Sequence, residues 1–428
     1  MKTSGGVTRF GPSVVFRVPG TSMNSPGESD VRITINQGLN HLTMKTSFLL
    51  PVILLATISI SCEKLLLNPE EVHNPPPVQQ SSRLATLLDS LRFAMDLPAL
   101  AAAVVSDTGC VELAVVGCRR YGGPENVTIN DRFHLGSCGK AFTAALIGSL
   151  VDDGLVNWNM TLPAIFPEYA SIMRQEYRDV TVRDILSHSS GFTRDVPVDL
   201  PYKSQTTSGR RLEAVAWAVS QPPAQVHGQY LYSNLAFITA GAVAEKLTGR
   251  TYEDLLIERI IRPLGITTAG FGVMGTPGCE DQPLQHSPDH APIIARSDAS
   301  LNPIYNPAGG LYMSVGDWGR FCQWVLASEA GHQTLLRPAT ARALTAPVTP
   351  ITPGSYYAFG WGVWTDDSWS GGKSLTHSGS NGYNYSSAAL APLKRWGIVV
   401  LTNQGAIGGD WLLGPAVNRL ITYQNDGQ

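Results

Sequence analysis

"HLGSCGKAFTAALIGSLV", residues 134–151, poses the question on which the fold turns. Gly136 and Ser137 read as the start of a helix, and everything from Phe142 onward is apolar enough for that helix to be buried on all sides. Lys140 stands in its first turn. That turn is the positive end of the helix dipole, where a cation is disfavoured, and lysine is almost never fully buried without a partner. A capping box would want Glu or Gln three residues after the serine, so Lys has the wrong sign for it. Ser137 and Lys140, three apart, share one helix face. A desolvated lysine beside partial positive charge has a lowered pKa, and the neutral amine can take a proton from an adjacent hydroxyl. The pair reads as a nucleophile with its base, whereas Ser137 standing alone would read as an N-cap.

Around this segment the periodicity is readable from residue 83. Leu84, Leu87, Leu88, Leu91 and Met95 follow helical spacing. "PALAAAVVSDTGCVELAVVG" gives two apolar runs about Asp107-Thr108-Gly109, a hairpin signal. Residues 150 to 300 carry mostly helical patterns: one ends at Gly249, a C-terminal cap, and another stops at Pro263. Ser314 and Asp317 stand in capping-box order. "YAFGWGVW", "SLTHSGS", "YNYSSAALA" and "WGIVVLTN" then read as strands, the last two joined by a short turn at Pro392 to Arg395, and a helix of roughly 410 to 423 closes the chain. The order implies an α/β (α+β) chain, an antiparallel sheet flanked by terminal helices with a large helical region inserted between its halves.

With 428 residues, 43% of them hydrophobic and 15% charged, the composition is that of a globular protein. The net charge of −3 comes from 31 basic and 34 acidic residues without long runs of either sign, so no footprint for nucleic acid is present. The expected partner is a small-molecule or peptide substrate. "MKTSFLLPVILLATISISC", Met44 to Cys62, has one lysine and an apolar stretch too short to span a bilayer. It resembles a bacterial lipoprotein signal in which Cys62 is lipidated, with Ser59 where Leu is commonest; an uncleaved anchor or core helix is the other reading. Residues 1–43 fit no targeting signal and are expected to be a non-native extension or a disordered arm ahead of a true start at Met44. The Pro-rich stretch 63–82 reads as a spacer, which places the domain at 83–428 on a membrane through its lipid anchor, in the bacterial cell envelope. The remaining cysteines, Cys110, Cys118, Cys138, Cys279 and Cys322, are odd in number and scattered, so neither a disulfide framework nor a C-x-x-C metal site is expected.

Two further elements follow Ser137-x-x-Lys140 in order. "YSN", Tyr232 to Asn234, precedes a helical pattern, and "HSG", His377 to Gly379, lies on a strand before a polar turn. Taken singly, Tyr232 reads as a core aromatic, Asn234 as a helix cap and His377 as a structural histidine. With "LSHSSGF", "NPAGGLYMS" and "FGWGV" around them, residues 83 to 425 resemble the serine β-lactamase and penicillin-binding-protein superfamily, in its class C β-lactamase-like branch. The resemblance implies a β-lactamase/transpeptidase-like fold, a site between a helical and an α/β region, and an acyl-enzyme. It implies that Ser137 attacks, that Lys140 and Tyr232 share general-base and relay work, and that Asn234 binds the substrate's amide side chain. It also implies an oxyanion hole from the Ser137 and Ser380 N–H groups, and a strand edge at His377, Ser378 and Gly379 against which the acyl group lies. His188 in "LSHSSGF" remains structural on this reading.

His377 departs from the common K-T-G motif, a variant seen in D-Ala-D-Ala carboxypeptidase-like and D-aminopeptidase-like members. With an unperturbed pKa of ~6.5 its imidazole would be mostly neutral at pH 7 and would charge as the pH falls, improving the binding of carboxylate-bearing substrates in acid. No G-x-S-x-G and no H-E-x-x-H occurs, and no cofactor or metal is expected. The expected function is a serine hydrolase of amide or ester bonds, with a class C-type β-lactamase and a penicillin-recognising protein without efficient turnover as the alternatives.

Overall fold

The hairpin about Asp107 consists of β1 (Ala99–Ser106) and β2 (Cys110–Gly117). It is closed by the Ser106 N–H donating to the Gly109 carbonyl at 2.7 Å, while the Ser106 hydroxyl oxygen accepts from the N–H groups of Thr108 and Gly109. The computed structural model describes residues 79–294, 301–332, 335–406 and 411–426, all within one compact unit, Asn68–Gln428. The segment 1–43, the signal-like stretch 44–62 with Cys62, and most of the Pro-rich spacer lie outside the described residues. Among the described residues no helix is long and apolar enough to cross a membrane.

Six strands after the helical region complete the sheet: β3 (Thr349–Thr352), β4 (Ser355–Tyr357), β5 (Gly362–Asp367), β6 (Gly372–Ser380), β7 (Tyr385–Ala391) and β8 (Trp396–Thr402). The order across the sheet is β2-β1-β8-β7-β6-β5-β4-β3, all antiparallel, so the first hairpin of the domain joins the strands from its end. Side chains alternate between faces along a strand. Ala99, Ala101, Ala103 and Val105 enter one core, whereas Leu100, Ala102 and Val104 enter another. The runs look uniformly apolar because both faces are covered.

The helices that do so are α1 (Ser82–Ala94) and, at the other end of the chain, α6 (Gly414–Asp426), which share one face, and α5 (Val315–Glu329) on the other. The closing helix begins some four residues later than the sequence reading placed it. The chain is tied to the sheet just before α1: the Ser81 N–H donates to the Leu113 carbonyl, and its hydroxyl oxygen caps α1 by accepting from the Leu84 N–H. Ser314 caps α5, accepting from the Asp317 N–H, yet Asp317 does not complete a capping box; its carboxylate accepts from the N–H groups of Thr267 and Thr268.

The inserted region holds α3 (Thr207–Ser220) packed on α4 (Asn234–Thr248), which in turn packs against α2 (Lys140–Asp152). Every residue of α2 from Lys140 to Leu150 is buried, as its apolar composition requires. Each Leu, Ile or Phe there stabilises the fold by about 1.5–3 kcal/mol through burial alone. Buried Arg211 of α3 ties the region together: its guanidinium donates to Glu245 of α4, to Glu253, and to the carbonyls of Pro303 and Ile304. That last contact fixes the approach to Ala308, whose carbonyl reaches Lys140.

Candidate active site

The lysine of the opening segment is fully buried and has three partners. Its Nζ lies 2.6 Å from the Ala308 carbonyl, 2.8 Å from Asn234 Oδ1 and 3.1 Å from Ser137 Oγ. The rings of Tyr232 and Phe237 stand 4.9 and 5.4 Å away. Burial lowers the Lys140 pKa to about 7, against the opposing field of Asp195. Ser137 does not cap a helix. A 3-10 turn, Gly136–Gly139, comes first and α2 starts at Lys140, so the serine hydroxyl is free to face the amine.

The turn that carries Ser137 is locked onto β6 and β7. The Ser386 hydroxyl lies 2.6 Å from the Leu135 carbonyl and 3.2 Å from Cys138 Sγ, and the Cys138 thiol points to the His377 carbonyl at 3.4 Å. Gly136 adopts φ +49°, a left-handed conformation that glycine takes without strain, with its N–H donating to His134 Nδ1. A Cβ at Gly379 would sit 2.1 Å from the Leu135 carbonyl oxygen and 2.6 Å from the Ser137 nitrogen. One at Gly136 would meet the Ser380 nitrogen at 2.3 Å. Both glycines allow the two backbones to touch, and that contact sets the Ser137 and Ser380 amides side by side.

Tyr232 and Asn234 come from the start of α4, where Ser233, rather than Asn234, is the cap: its hydroxyl accepts from the Ala236 N–H. Asn234, expected to meet the substrate's amide side chain, donates one Nδ2 hydrogen to Asp195 Oδ1 at 2.8 Å, which orients the amide so that Oδ1 faces Lys140. Burial raises the Tyr232 pKa above the usual tyrosine range, against the opposing influence of the nearby Ser137 hydroxyl. His188 packs against it: its ring lies 4.3 Å from Tyr232 and 4.4 Å from Tyr357, its Nδ1 accepts from the Ser233 N–H, and burial holds it neutral.

Strand β6 departs from the sequence reading at two residues. His377 is engaged at both ring nitrogens, by the Tyr357 hydroxyl at 2.8 Å on Nε2 and the Ser378 carbonyl at 2.8 Å on Nδ1. The carbonyl can only accept, so Nδ1 carries the proton and Nε2 receives the tyrosine's. Burial, aided by the charge of Lys140, lowers the His377 pKa to about 3, well under the ~6.5 expected from sequence. The Ser378 side chain is on the far face, paired with the Ser387 hydroxyl at 3.2 Å, in a groove with Trp364, Trp369 and Trp411. It cannot contact a group held at Ser137; only its backbone belongs to this side. The open edge is real, since the pairing of β6 with β5 runs no further than Thr376 and leaves His377 to Ser380 paired to β7 alone.

Sequence reasoning missed Ala308, Asp195, Tyr357 and Arg194. The first three act through folded contacts 20 to 168 residues away in the chain, for which no local pattern exists. Arg194, in the loop after "LSHSSGF", puts its guanidinium 5.3 Å from the Tyr232 ring centre and remains exposed. Among the described residues no group of three or more His, Cys, Asp or Glu could hold a metal ion.

Comparison with known proteins identifies the family and the fold. The family described as Beta-lactamase matches residues 84–421. Penicillin-binding protein 4 of Amycolatopsis lactamdurans is 26% identical over 336 residues, covering 74% of this chain and 84% of that protein. An unguisins hydrolase of Aspergillus campestris is 28% identical over 255 residues, 55% of this chain, and the match spans under half, 46%, of the fungal protein. Among solved structures, the D-alanine carboxypeptidase AmpC from Burkholderia cenocepacia superposes with a TM-score of 0.64 at 19% identity, over 80% of this chain and 98% of that one. The octameric penicillin-binding protein homologue from Pyrococcus abyssi gives 0.64 at 19% identity over 80% and 77%.

Proposed function

Because the chain belongs to the beta-lactamase family, we propose that it hydrolyses amide or ester bonds through an acyl-enzyme on Ser137, with Lys140 as the base. The observation that carries this reading is the partner set of Lys140. A neutral amine has two N–H bonds and one lone pair. Ala308 O and Asn234 Oδ1 can only accept, so they take the two N–H bonds, and the lone pair is left to the Ser137 hydroxyl at 3.1 Å. A pKa near 7 keeps a large share of the amine neutral at physiological pH.

Lys140 then receives the hydroxyl proton as Ser137 Oγ bonds to the substrate carbonyl carbon. The oxyanion forms at the Ser137 and Ser380 N–H groups, each such donor supporting the step by about 10²–10³ in kcat. Tyr232 stays a phenol because its pKa is raised, so its part is to pass a proton to the departing amine or alkoxide and to be refilled from Lys140. Water then attacks the acyl-serine by the reverse route.

The substrates that suit this site are esters and D-aminoacyl or D-alanyl peptides, in the manner of D-Ala-D-Ala carboxypeptidases, D-aminopeptidases and esterases. A class C-type β-lactamase is the second reading, disfavoured by a His377 that is neutral and engaged where efficient β-lactamases of that branch have a permanent cation. Acylation without turnover is the third. A fluorescent penicillin, nitrocefin, a p-nitrophenyl ester and a D-aminoacyl anilide separate the three: clear ester or anilide turnover with weak nitrocefin turnover supports the first. Nitrocefin turnover exceeding both would establish the second, and a penicillin adduct that persists with no turnover of any substrate would establish the third. Ser137→Ala with Lys140→Ala should be little worse than either change alone, since residues acting as one unit lose activity non-additively.

A further inference from the structure

We propose that Arg194 is the cation that selects carboxylate-bearing substrates, so that the acyl groups this site prefers end in an acid. The inference rests on the proposed hydrolase function and deepens it.

The strand position that could have supplied a cation does not. His377 is uncharged, with one nitrogen accepting from Tyr357 and the other donating to the Ser378 carbonyl. Lys140 is fully enclosed, its three contacts satisfied within the protein. Arg194 stands at the mouth of the site in the opposite condition. Its side chain is 68% exposed, and its guanidinium lies over the ring of Tyr232, the aromatic that also stands 4.9 Å from Lys140 Nζ.

The local fold explains why it stays there. The Arg194 carbonyl accepts from the Asn234 N–H at 2.7 Å and from the Leu235 N–H, closing the start of α4 and pinning this residue's backbone beside the site. Its one ionic contact is Nε to Asp195 Oδ2 at 3.6 Å, beyond hydrogen-bond reach, and the other Asp195 oxygen is held by Asn234. The two terminal nitrogens have no hydrogen-bond partner among the described residues. A planar fork stacked on an aromatic face with both outer N–H groups unspent is suited to bidentate capture of a carboxylate. Because the pair forms at an exposed rim, its contribution is partly screened by water and salt.

The test compares mono-p-nitrophenyl glutarate with p-nitrophenyl butyrate, two esters of similar acyl length that differ in a terminal carboxylate, using the full chain. The wild type should favour the glutarate in kcat/KM. Arg194→Gln should lower that glutarate-to-butyrate ratio about fivefold to thirtyfold, chiefly through KM, with Arg194→Lys restoring part of it. Added salt should lower the ratio in the wild type and have little effect on it in Arg194→Gln. A ratio within twofold of wild type in Arg194→Gln, or a loss equal for both esters, overturns the assignment. Hydrolysis of both esters by Ser137→Ala would instead overturn the hydrolase reading on which it rests.

Discussion

A lysine in the first turn of a buried helix is costly, and its cost is what makes it useful. With a pKa near 7, Lys140 is mostly protonated below that pH and mostly neutral above it. If the neutral amine is the base, kcat/KM for a neutral ester must rise with pH through about 7 and level off above it. Lys140→Ala should lower kcat about 10²–10⁴-fold and abolish the rise. A flat profile from pH 5.5 to 8.5 in the wild type would assign the base elsewhere. His377 makes the opposite prediction. Its folded pKa is lowered to about 3, so it remains neutral throughout that range, and acid does not improve carboxylate binding by charging it. Long-range proton–nitrogen NMR at pH 5 should show a neutral ring protonated on Nδ1. An imidazolium there would restore the acid-dependent behaviour expected from the sequence.

At the scale of elements, the contact between the 3-10 turn and β6 matters most. A methyl group at Gly379 has no space, since three backbone atoms lie within 2.8 Å of where it would be. Gly379→Ala should therefore push the strand from the turn, separate the Ser137 and Ser380 amides, and cost on the order of 10²–10³ in kcat. It should also destabilise the fold by about 1–3 kcal/mol, read by denaturant unfolding. Wild-type kcat in that variant would show that the amide pair does not act on the reaction. What could be read in advance divides along the same line. Ser137, Lys140 and Gly379 were legible because spacing along one continuous helical stretch or one strand dictates which residues share a face. Asp195 and Ala308 were not, because their roles exist only when the inserted region closes over α2, nor was Tyr357, which meets His377 only once β4 and β6 lie in one sheet. The motif names three consecutive residues along one strand edge, but a pleated strand turns the side chain of the middle one, Ser378, to the other face. The antiparallel sheet and its covering helices followed from the apolar runs, while the joining of β1 to β8, strands almost 300 residues apart, is a property of the closed sheet.

For the whole molecule, two independent features carry the proposed chemistry: a 3-10 turn that holds Ser137 just ahead of the buried α2, and a sheet edge left open from His377 to Ser380. We propose, from the signal-like sequence that ends at Cys62, that a lipid on that residue holds the protein to membranes, so that the native protein should sediment with them and Cys62→Ser should be released. Unchanged sedimentation of the variant would remove the anchor from the account without touching the active site. The central claim is the covalent role of Ser137, and intact-protein mass spectrometry after brief exposure to p-nitrophenyl acetate or a fluorescent penicillin tests it most directly. The account predicts one added acyl group on the peptide that contains Ser137, absent in Ser137→Ala and much slower to form in Lys140→Ala. Hydrolysis with no adduct under any quench, or an adduct that maps to another residue and persists in Ser137→Ala, would contradict it.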